Sequence, residues 1–83
     1  MKVHVKAFRT DPDVICLDTD EESVREAIGL IRLTFNRGNG DVGSLFVEID
    51  GKRALYDPWF LTFYKWYGAG WCQIRNPKYY FEH

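Results

Sequence analysis

The chain has 83 residues, of which 46% are hydrophobic and 28% are charged, and its formal net charge is −1. This length predicts a single domain, residues 1–83, and the balanced composition excludes a disordered or fibrous chain. Because the net charge is close to zero, attraction of the whole molecule to a phosphate backbone is also excluded, and any contact with nucleic acid would have to be local.

Hydropathy and cysteine content predict the cellular setting. The chain has no run of about 20 apolar residues, the length of a membrane span, and Met1 to Lys6 lack the apolar stretch of a secretion signal. We therefore expect a cytoplasmic protein without membrane contact. Cys16 and Cys72 are too few for a disulfide scaffold and lack zinc-ligand spacing, so we expect two buried free thiols and no cofactor or metal.

Two apolar stretches near the start predict a β-hairpin from about Lys2 to Asp18. Apolar and polar residues alternate from Val3 to Phe8, and Val14 to Leu17 form a second stretch with strand character. Between them, Thr10 to Asp13 contain a proline flanked by two aspartates, a combination that is typical of a turn.

An amphipathic pattern predicts one long helix over about residues 20–36. Thr19 precedes this segment and Glu22 follows three residues later, which is the spacing of a capping box, so we expect the helix to begin there. The apolar stripe consists of residues that recur at steps of three and four: Val24, Ala27, Ile28, Ile31 and Phe35. The glycine-rich loop after Arg37 is expected to end the helix.

The dipeptide Asp50-Gly51 predicts a second hairpin. Both positions of a type I′ turn need a positive φ, which these two residues adopt at little cost. If they form the two-residue loop, the strands on either side have one register: Ile49 with Lys52, Glu48 with Arg53, Val47 with Ala54 and Phe46 with Leu55. One pair of opposite charges and two apolar pairs favour this register.

The segment that follows Tyr56 predicts a short aromatic helix at about residues 58–67. Asp57 resembles a helix cap, Pro58 suits the first helical position, and Gly68 suits the position just after the last turn. A strand is the alternative, although aromatic and polar residues do not alternate in this segment. The run from Trp71 to Arg75 then predicts a final strand.

Together these elements predict an α+β domain with a mainly antiparallel sheet and the order ββαββαβ. From Val14 onward this is the order of a ferredoxin-like fold, which by itself implies no function because that architecture hosts many activities. The alternative is a meandering antiparallel sheet covered by a single helix, with the aromatic segment as an edge strand.

The sequence contains no recognisable catalytic motif. It lacks a phosphate-binding glycine loop that follows a strand, paired metal-ligand spacing and a nucleophile elbow. His4 could activate Cys16 or Cys72 only if the fold brought the imidazole and the thiol together, and nothing nearby in sequence assists either thiol. We therefore expect a protein that is not an enzyme.

Six acidic residues lie between positions 11 and 22 without an intervening basic residue: Asp11, Asp13, Asp18, Asp20, Glu21 and Glu22. Turn formation and helix capping explain most of them without a function. The functional alternative is an acidic patch that docks on a basic partner, formed by Asp18, Asp20, Glu21 and Glu22. Metal binding is a third interpretation, although the spacing differs from that of a calcium loop.

Aromatic residues are concentrated between positions 56 and 81, which contain 11 of the 14 in the chain. A small domain could use these rings to fill its core. The functional alternative is an exposed patch that binds a protein partner, with basic residues at its rim. The predicted partner-binding residues in this region are Trp59, Phe63, Tyr64, Lys65, Trp66, Tyr67, Trp71 and Arg75.

These observations predict a small protein-binding module, an inhibitor or adaptor that acts on a larger protein or nucleoprotein complex. It is expected to bind through the aromatic C-terminal surface and the acidic N-terminal patch together, with a homo-oligomer as a further option. Small inhibitors carried by phages and other mobile elements have this size and lack of motifs, which is an analogy only. The alternative is a domain that binds single-stranded nucleic acid by base stacking. That alternative uses Tyr64, Trp66, Trp71, Lys65, Arg75 and Lys78, a set with little excess charge for the role.

Overall fold

A computed structural model describes residues 2–9, 15–39 and 43–83 of the chain. The strands in these ranges are β1 Val3–Phe8, β2 Ile15–Glu21, β3 Leu45–Ile49, β4 Lys52–Asp57, β5 Thr62–Tyr67 and β6 Gly70–Ile74. The helices are α1 Val24–Thr34 and α2 Pro77–Glu82, and a short 3₁₀ turn spans Arg37–Asn39. Neither described helix is long and apolar enough to cross a membrane. The predicted α+β class is confirmed.

The six strands of the described ranges form one antiparallel sheet in the order β2-β1-β3-β4-β5-β6. Because β1 lies between β2 and β3, the chain leaves the sheet at its β2 edge, forms α1 and returns to pair with β1. From β3 to β6 each strand pairs with the next one in sequence. The sheet is therefore mostly a meander, close to the predicted alternative, and the ferredoxin-like order is not confirmed.

Strand residues alternate between the two faces of the sheet, and both helices pack on one of them, here called the helical face. The core of the described chain lies there and consists of Val5, Ala7, Leu45, Val47, Ile49, Ala54, Tyr56, Phe63, Ile74, Val24, Ala27, Ile28, Ile31 and Phe81. The Phe63 ring lies 4.9 Å from Tyr56 and 5.7 Å from Phe81, between ring centroids. The opposite side, here called the open face, has no helix of the described ranges packed on it.

α1 begins four residues later than the sequence predicted because β2 continues through Glu21. Thr19 lies within β2 and so is not available to cap the helix. Ser23 occupies that position instead, and its Oγ accepts a hydrogen bond from the backbone N–H of Glu26 at 3.2 Å. This pair has the spacing that was assigned to Thr19 and Glu22, so the capping signal occurs twice and the second copy starts the helix.

Both predicted hairpins are present. β1 and β2 pair antiparallel, while their predicted turn, residues 10–13, lies outside the described residues. Asp50 and Gly51 have φ values of 51° and 82°, as a type I′ turn requires, and the four predicted pairs between β3 and β4 all occur. Within one of these pairs, the Arg53 guanidinium contacts the Glu48 carboxylate at 2.9 Å. The register of this hairpin is confirmed.

The predicted aromatic helix at about residues 58–67 is wrong. Residues 58–61 form a turn, and β5 follows it, paired with β4 and β6. Asp57 and Gly68, which were expected to mark the two ends of a helix, instead form the turns on either side of β5. The Asp57 Oδ1 accepts the backbone N–H of Trp59 at 2.9 Å, and Gly68 has a φ of 63° in the loop before β6. The predicted final strand is confirmed as β6, and the last residues add α2.

Gly29 lies in the middle of α1 on its exposed side, and a Cβ at this position would meet no heavy atom of the described residues within 4 Å. Because glycine destabilises a helix interior by about 0.5–1 kcal/mol relative to alanine, we expect Gly29→Ala to raise the free energy of unfolding by that amount. Urea denaturation measures the change. The matched control is Gly51→Ala, which must lower stability because Gly51 has positive φ.

Candidate functional site

Two tryptophans form an exposed pair on the open face. Trp66 of β5 lies directly opposite Trp71 of β6, with ring centroids 5.2 Å apart and ring planes at 75°. Trp66 is 58% exposed and Trp71 is 45% exposed. The Trp71 ring also lies 6.2 Å from the ring of Phe46 on β3, so rings from strands that are not neighbours meet on this face. We call Phe46, Trp66 and Trp71 the aromatic platform.

The strand register explains why these rings share one face. Trp66 is two residues beyond Tyr64, and alternate residues of a strand point to the same side. Tyr64 pairs with Leu55 of β4, which in turn pairs with Phe46. The open face of β3 to β6 therefore carries a continuous apolar surface, in which the two indoles are the most exposed rings.

The intervening residues of β5 point to the helical face. Phe63 is completely buried between Tyr56 and Phe81, so its predicted role in partner binding is wrong and it is a core residue. Lys65 and Tyr67 are exposed where the helices no longer cover this face, and the Lys65 Nζ lies 5.7 Å from the centre of the Tyr67 ring. The aromatic residues predicted to form one exposed patch are therefore divided between the two faces of the sheet.

A second exposed apolar group lies in the turn between β4 and β5. Trp59, Phe60 and Leu61 are 61%, 79% and 38% exposed, and we call them the apolar tip. Leu61 has a φ of 56°, a conformation that costs a residue with a Cβ about 1–2 kcal/mol. The tip lies at the start of β5, about 20 Å from the platform end of that strand at roughly 3.3 Å per residue. Phe60 and Leu61 were not among the predicted site residues.

The acidic residues lie at the other edge of the sheet. Asp18 and Asp20 belong to the edge strand β2 and point to the open face, whereas Glu21 points to the helical face and Glu22 follows the strand. The Asp18 Oδ1 lies 2.5 Å from the Nε2 of His4. Four strands separate β2 from β6 in the described sheet, so the acidic residues and the aromatic platform do not form one site.

The predicted basic rim is also divided. Lys65 and Arg75 line a groove on the helical face together with Lys52 of β4 and two rings of α2, Tyr79 and Tyr80. The Lys52 Nζ lies 4.4 Å from the centre of the Tyr80 ring. Lys78, which the nucleic-acid interpretation also used, forms an ion pair with Glu82 at 2.8 Å. By their strand register, Lys52 and Lys65 point away from the open face, where the platform lies.

The two cysteines lie on separate strands at opposite edges of the described sheet. Cys16 and Cys72 are exposed, so the prediction of buried thiols is wrong. They lie on β2 and β6, the two edge strands of the described sheet, and the His4 ring contacts the Asp18 carboxylate. Among the residues that the structure describes, no three histidine, cysteine or acidic side chains group as metal ligands.

Tyr56 ties the strand β4 to the end of α1. Its hydroxyl donates to the backbone carbonyl oxygen of Phe35 at 2.6 Å, and the side chain is buried. Burial raises the pKa of Tyr56 to about 12, an effect that the nearby Arg32 cation reduces in part. The pKa in the folded state is therefore above the value of 10.0 expected in the unfolded state. The neutral phenol stabilises the fold fully below pH 10, and this contribution is lost as the pH rises toward 12.

We expect Tyr56→Phe to lower the free energy of unfolding by about 1–2 kcal/mol at neutral pH, because the Phe35 carbonyl loses its partner. Between pH 10 and 12 the variant should lose less stability than the wild type. Burial raises the pKa of Tyr80 as well, so part of the decline should remain in the variant. Urea denaturation at pH 7, 10 and 11 tests this. If the free energy of unfolding fell equally in the two proteins between pH 7 and pH 11, the loss of stability at high pH could not be due to Tyr56.

Comparisons with known proteins were made for the whole chain. No protein-family model matches it, no curated protein matches it significantly, and no solved structure matches it significantly. A function must therefore be inferred from the geometry of the exposed groups, among which the aromatic platform brings two exposed indoles and Phe46 into mutual contact.

Proposed function

We propose that this domain is a non-enzymatic protein-binding module, an inhibitor or adaptor that acts on a larger protein or complex through the aromatic platform. The observation that carries the proposal is the contact between Trp66 and Trp71, two half-exposed indoles on a sheet face without a covering helix in the described chain. Tryptophan is among the residues most enriched at the energetic centres of protein interfaces.

The size of the platform is sufficient for such a centre. A tryptophan side chain can bury about 150–250 Å², so the exposed halves of the two indoles offer roughly 200 Å² of apolar surface. At about 25 cal/mol per Å² this corresponds to roughly 5 kcal/mol before the costs of association. Because the rings already pack on one another, little side-chain freedom remains to be lost on binding.

The remaining predicted residues have secondary roles in this proposal. Trp59 of the apolar tip and Tyr67 are exposed at the two ends of β5, within the span of an ordinary interface, although Tyr67 points to the helical face and not toward the platform. The acidic group of Asp18, Asp20, Glu21 and Glu22 lies at the far edge of the sheet. Charges at such a distance from the centre affect the association rate more than the affinity.

Binding of single-stranded nucleic acid is less well supported. Bases would stack on Tyr64, Trp66 and Trp71, and phosphates would then need cations on the same face. Lys65 points to the opposite face of the sheet, and Arg75 lines the groove there. On the open face Arg53 is paired with Glu48, and Lys6 lies opposite Asp18 and Glu48 in the neighbouring strands. A strong local excess of positive charge is therefore missing from the described part of that face.

Affinity capture from host lysate tests the proposal. Wild-type protein and a Trp66→Ala/Trp71→Ala variant are compared, each with and without nuclease, after circular dichroism has shown that both are folded. We expect a stoichiometric protein that the wild type retains after nuclease treatment and the variant does not. Equal retention by the two proteins would contradict the role of the platform, and loss of retention on nuclease treatment would favour the nucleic-acid alternative.

A further inference from the structure

β6 is an edge strand without the usual protection. In the described sheet it pairs only with β5, so the outer row of its backbone N–H and C=O groups has no strand partner. Proteins usually guard such an edge with charges, proline or a bulge. β6 has the sequence Gly-Trp-Cys-Gln-Ile, without a charge or proline, and its register with β5 is regular from Phe63 to Tyr67. This edge is open to another strand.

The opposite edge is guarded in the usual way. β2 carries Asp18, Asp20 and Glu21, and its register with β1 shifts between Ala7 and Phe8. Charges and an irregular register both hinder the addition of a further strand. The contrast between the two edges indicates that the accessible edge of β6 is a specific feature and not a general property of this sheet.

The two faces beside β6 differ in chemistry. On the open face lies the aromatic platform, with Trp71 in β6 itself. On the other side, Lys52 and Lys65 point to the helical face and line a groove of about 370 Å³ together with Arg75, which follows β6. The ion pairs found in the described residues involve other cations, and no acidic residue lines this groove. An occupant of the β6 edge therefore meets apolar rings on one side and unpaired positive charges on the other.

We propose that β6 receives an extended segment of the partner as an added strand, and that this segment alternates apolar and acidic side chains. Successive residues of a strand point to opposite faces, so apolar side chains would lie on Trp66 and Trp71 while acidic ones reach Lys65 and Arg75. The inference rests on the proposed function, because it specifies how a protein partner engages the same hairpin.

Charge argues against a second copy of the chain as the occupant. Two β6 strands paired antiparallel would continue one sheet and place both helical faces on the same side. The Lys65 and Arg75 side chains of the two copies would then approach one another across the new strand pair, and their like charges would repel. Antiparallel pairing of β6 with the β2 edge of another copy, with the helices on the same side, would place Asp18 and Asp20 on the side of Trp71 and only Glu21 on the side of Lys65. An acidic partner segment matches the groove without either conflict.

A displayed library of random linear peptides, selected on the intact protein, tests the proposal. We expect enriched sequences in which apolar and acidic residues alternate. Binding should weaken about fivefold in Lys65→Gln, the effect of losing one exposed ion pair, and should not change in the matched control Arg25→Gln on α1. Two peptides are compared, one N-methylated at its odd positions and the other at its even positions. One of them should lose binding and the other should keep it, because only every second backbone N–H of an added strand faces β6.

The two exposed cysteines report where the peptide binds. Cys72 lies in β6, and Cys16 lies in the opposite edge strand. Saturating peptide should suppress alkylation of Cys72 on the time scale at which Cys16 still reacts fully. A peptide that depends on Trp71 but leaves the Cys72 rate unchanged would overturn strand addition and leave the proposed function intact. A peptide unaffected by Trp66→Ala and Trp71→Ala would contradict both.

Two further outcomes would also overturn the proposed binding of an acidic strand to β6. Failure to enrich any peptide, or a consensus with apolar residues at helical spacing, would overturn the proposal that β6 receives an extended segment. Protection of Cys72 that increases with protein concentration in the absence of peptide would show that a second copy occupies the edge, and would overturn the assignment of an acidic partner.

Discussion

Phe63→Ala is expected to reduce the free energy of unfolding by about 3–5 kcal/mol, whereas Trp66→Ala should change it by about 1 kcal/mol or less. Phe63 is fully buried against Tyr56 and Phe81, so its removal leaves a cavity in the core. Trp66 is more than half exposed on the other face of the same strand. Two large aromatic residues three positions apart should therefore differ severalfold in effect.

Urea denaturation followed by circular dichroism measures both changes. A domain of this size is stabilised by only about 5–15 kcal/mol, so Phe63→Ala could leave too little folded protein for a reliable midpoint. Phe63→Leu serves as the second variant, since it keeps much of the buried volume and should cost less. Similar effects at the two positions would contradict the strand assignment, because a helix would place both residues on one side.

Replacement of either platform tryptophan is expected to weaken partner binding by at least about 2 kcal/mol, or roughly 30-fold. Trp71 should have the larger effect, because it contacts both Trp66 and Phe46 and its loss disrupts the whole platform. Leu33→Ala is the control, since Leu33 is a large exposed apolar residue on α1, away from the open face. It should bind like the wild type.

Titration of the captured partner with each variant measures these affinities. The rise in the dissociation constant of the tryptophan variants should come mainly from faster dissociation, as is usual when a buried interface contact is removed. Most of the affinity should remain at high salt because the platform contact is apolar, whereas the contribution of ion pairs at Lys65 should be screened. A larger loss in Leu33→Ala than in the tryptophan variants would place the interface on α1 and contradict the role of the platform.

Local signals were sufficient to predict the second hairpin and the existence of α1. The positive φ values at Asp50 and Gly51 follow from the residue types, and the two-residue loop then determines every pair of β3 with β4. The stripe of α1 has clear helical periodicity. Its first residue was misplaced because the capping signal occurs twice, and pairing of β2 with β1, a long-range contact, decides which copy is used.

The alternation of apolar and polar residues that marks a strand is missing from β5, because this strand carries part of the aromatic platform on its exposed side. A half-buried strand shows apolar residues on one side and polar ones on the other. Here Tyr64 and Trp66 occupy the solvent-exposed side, so the expected alternation is missing, and Asp57 and Gly68 provide turn signals that resemble helix caps. Sequence rules tend to fail where function conflicts with the local pattern, which supports the platform as a functional surface.

The composition of the site depended on the order of the strands, which residue patterns do not determine. Acidic residues near position 20 and aromatic residues near position 66 were predicted to act together, yet they lie at opposite edges of the sheet. Phe46 was predicted only as a partner of Leu55, and its contact with Trp71 joins β3 to β6, two strands that are not neighbours in the sheet. Both facts depend on contacts between residues distant in sequence.

Hydroxyl-radical footprinting of the domain, alone and saturated with its captured partner, tests the central claim most directly. Mass spectrometry follows the oxidation of each exposed aromatic residue, and Leu33 on α1 provides an internal control. We predict that oxidation of Trp66 and Trp71 falls strongly in the complex while that of Leu33 does not change. Unchanged oxidation of both tryptophans with the partner fully bound would contradict the proposal that the aromatic platform is the binding surface.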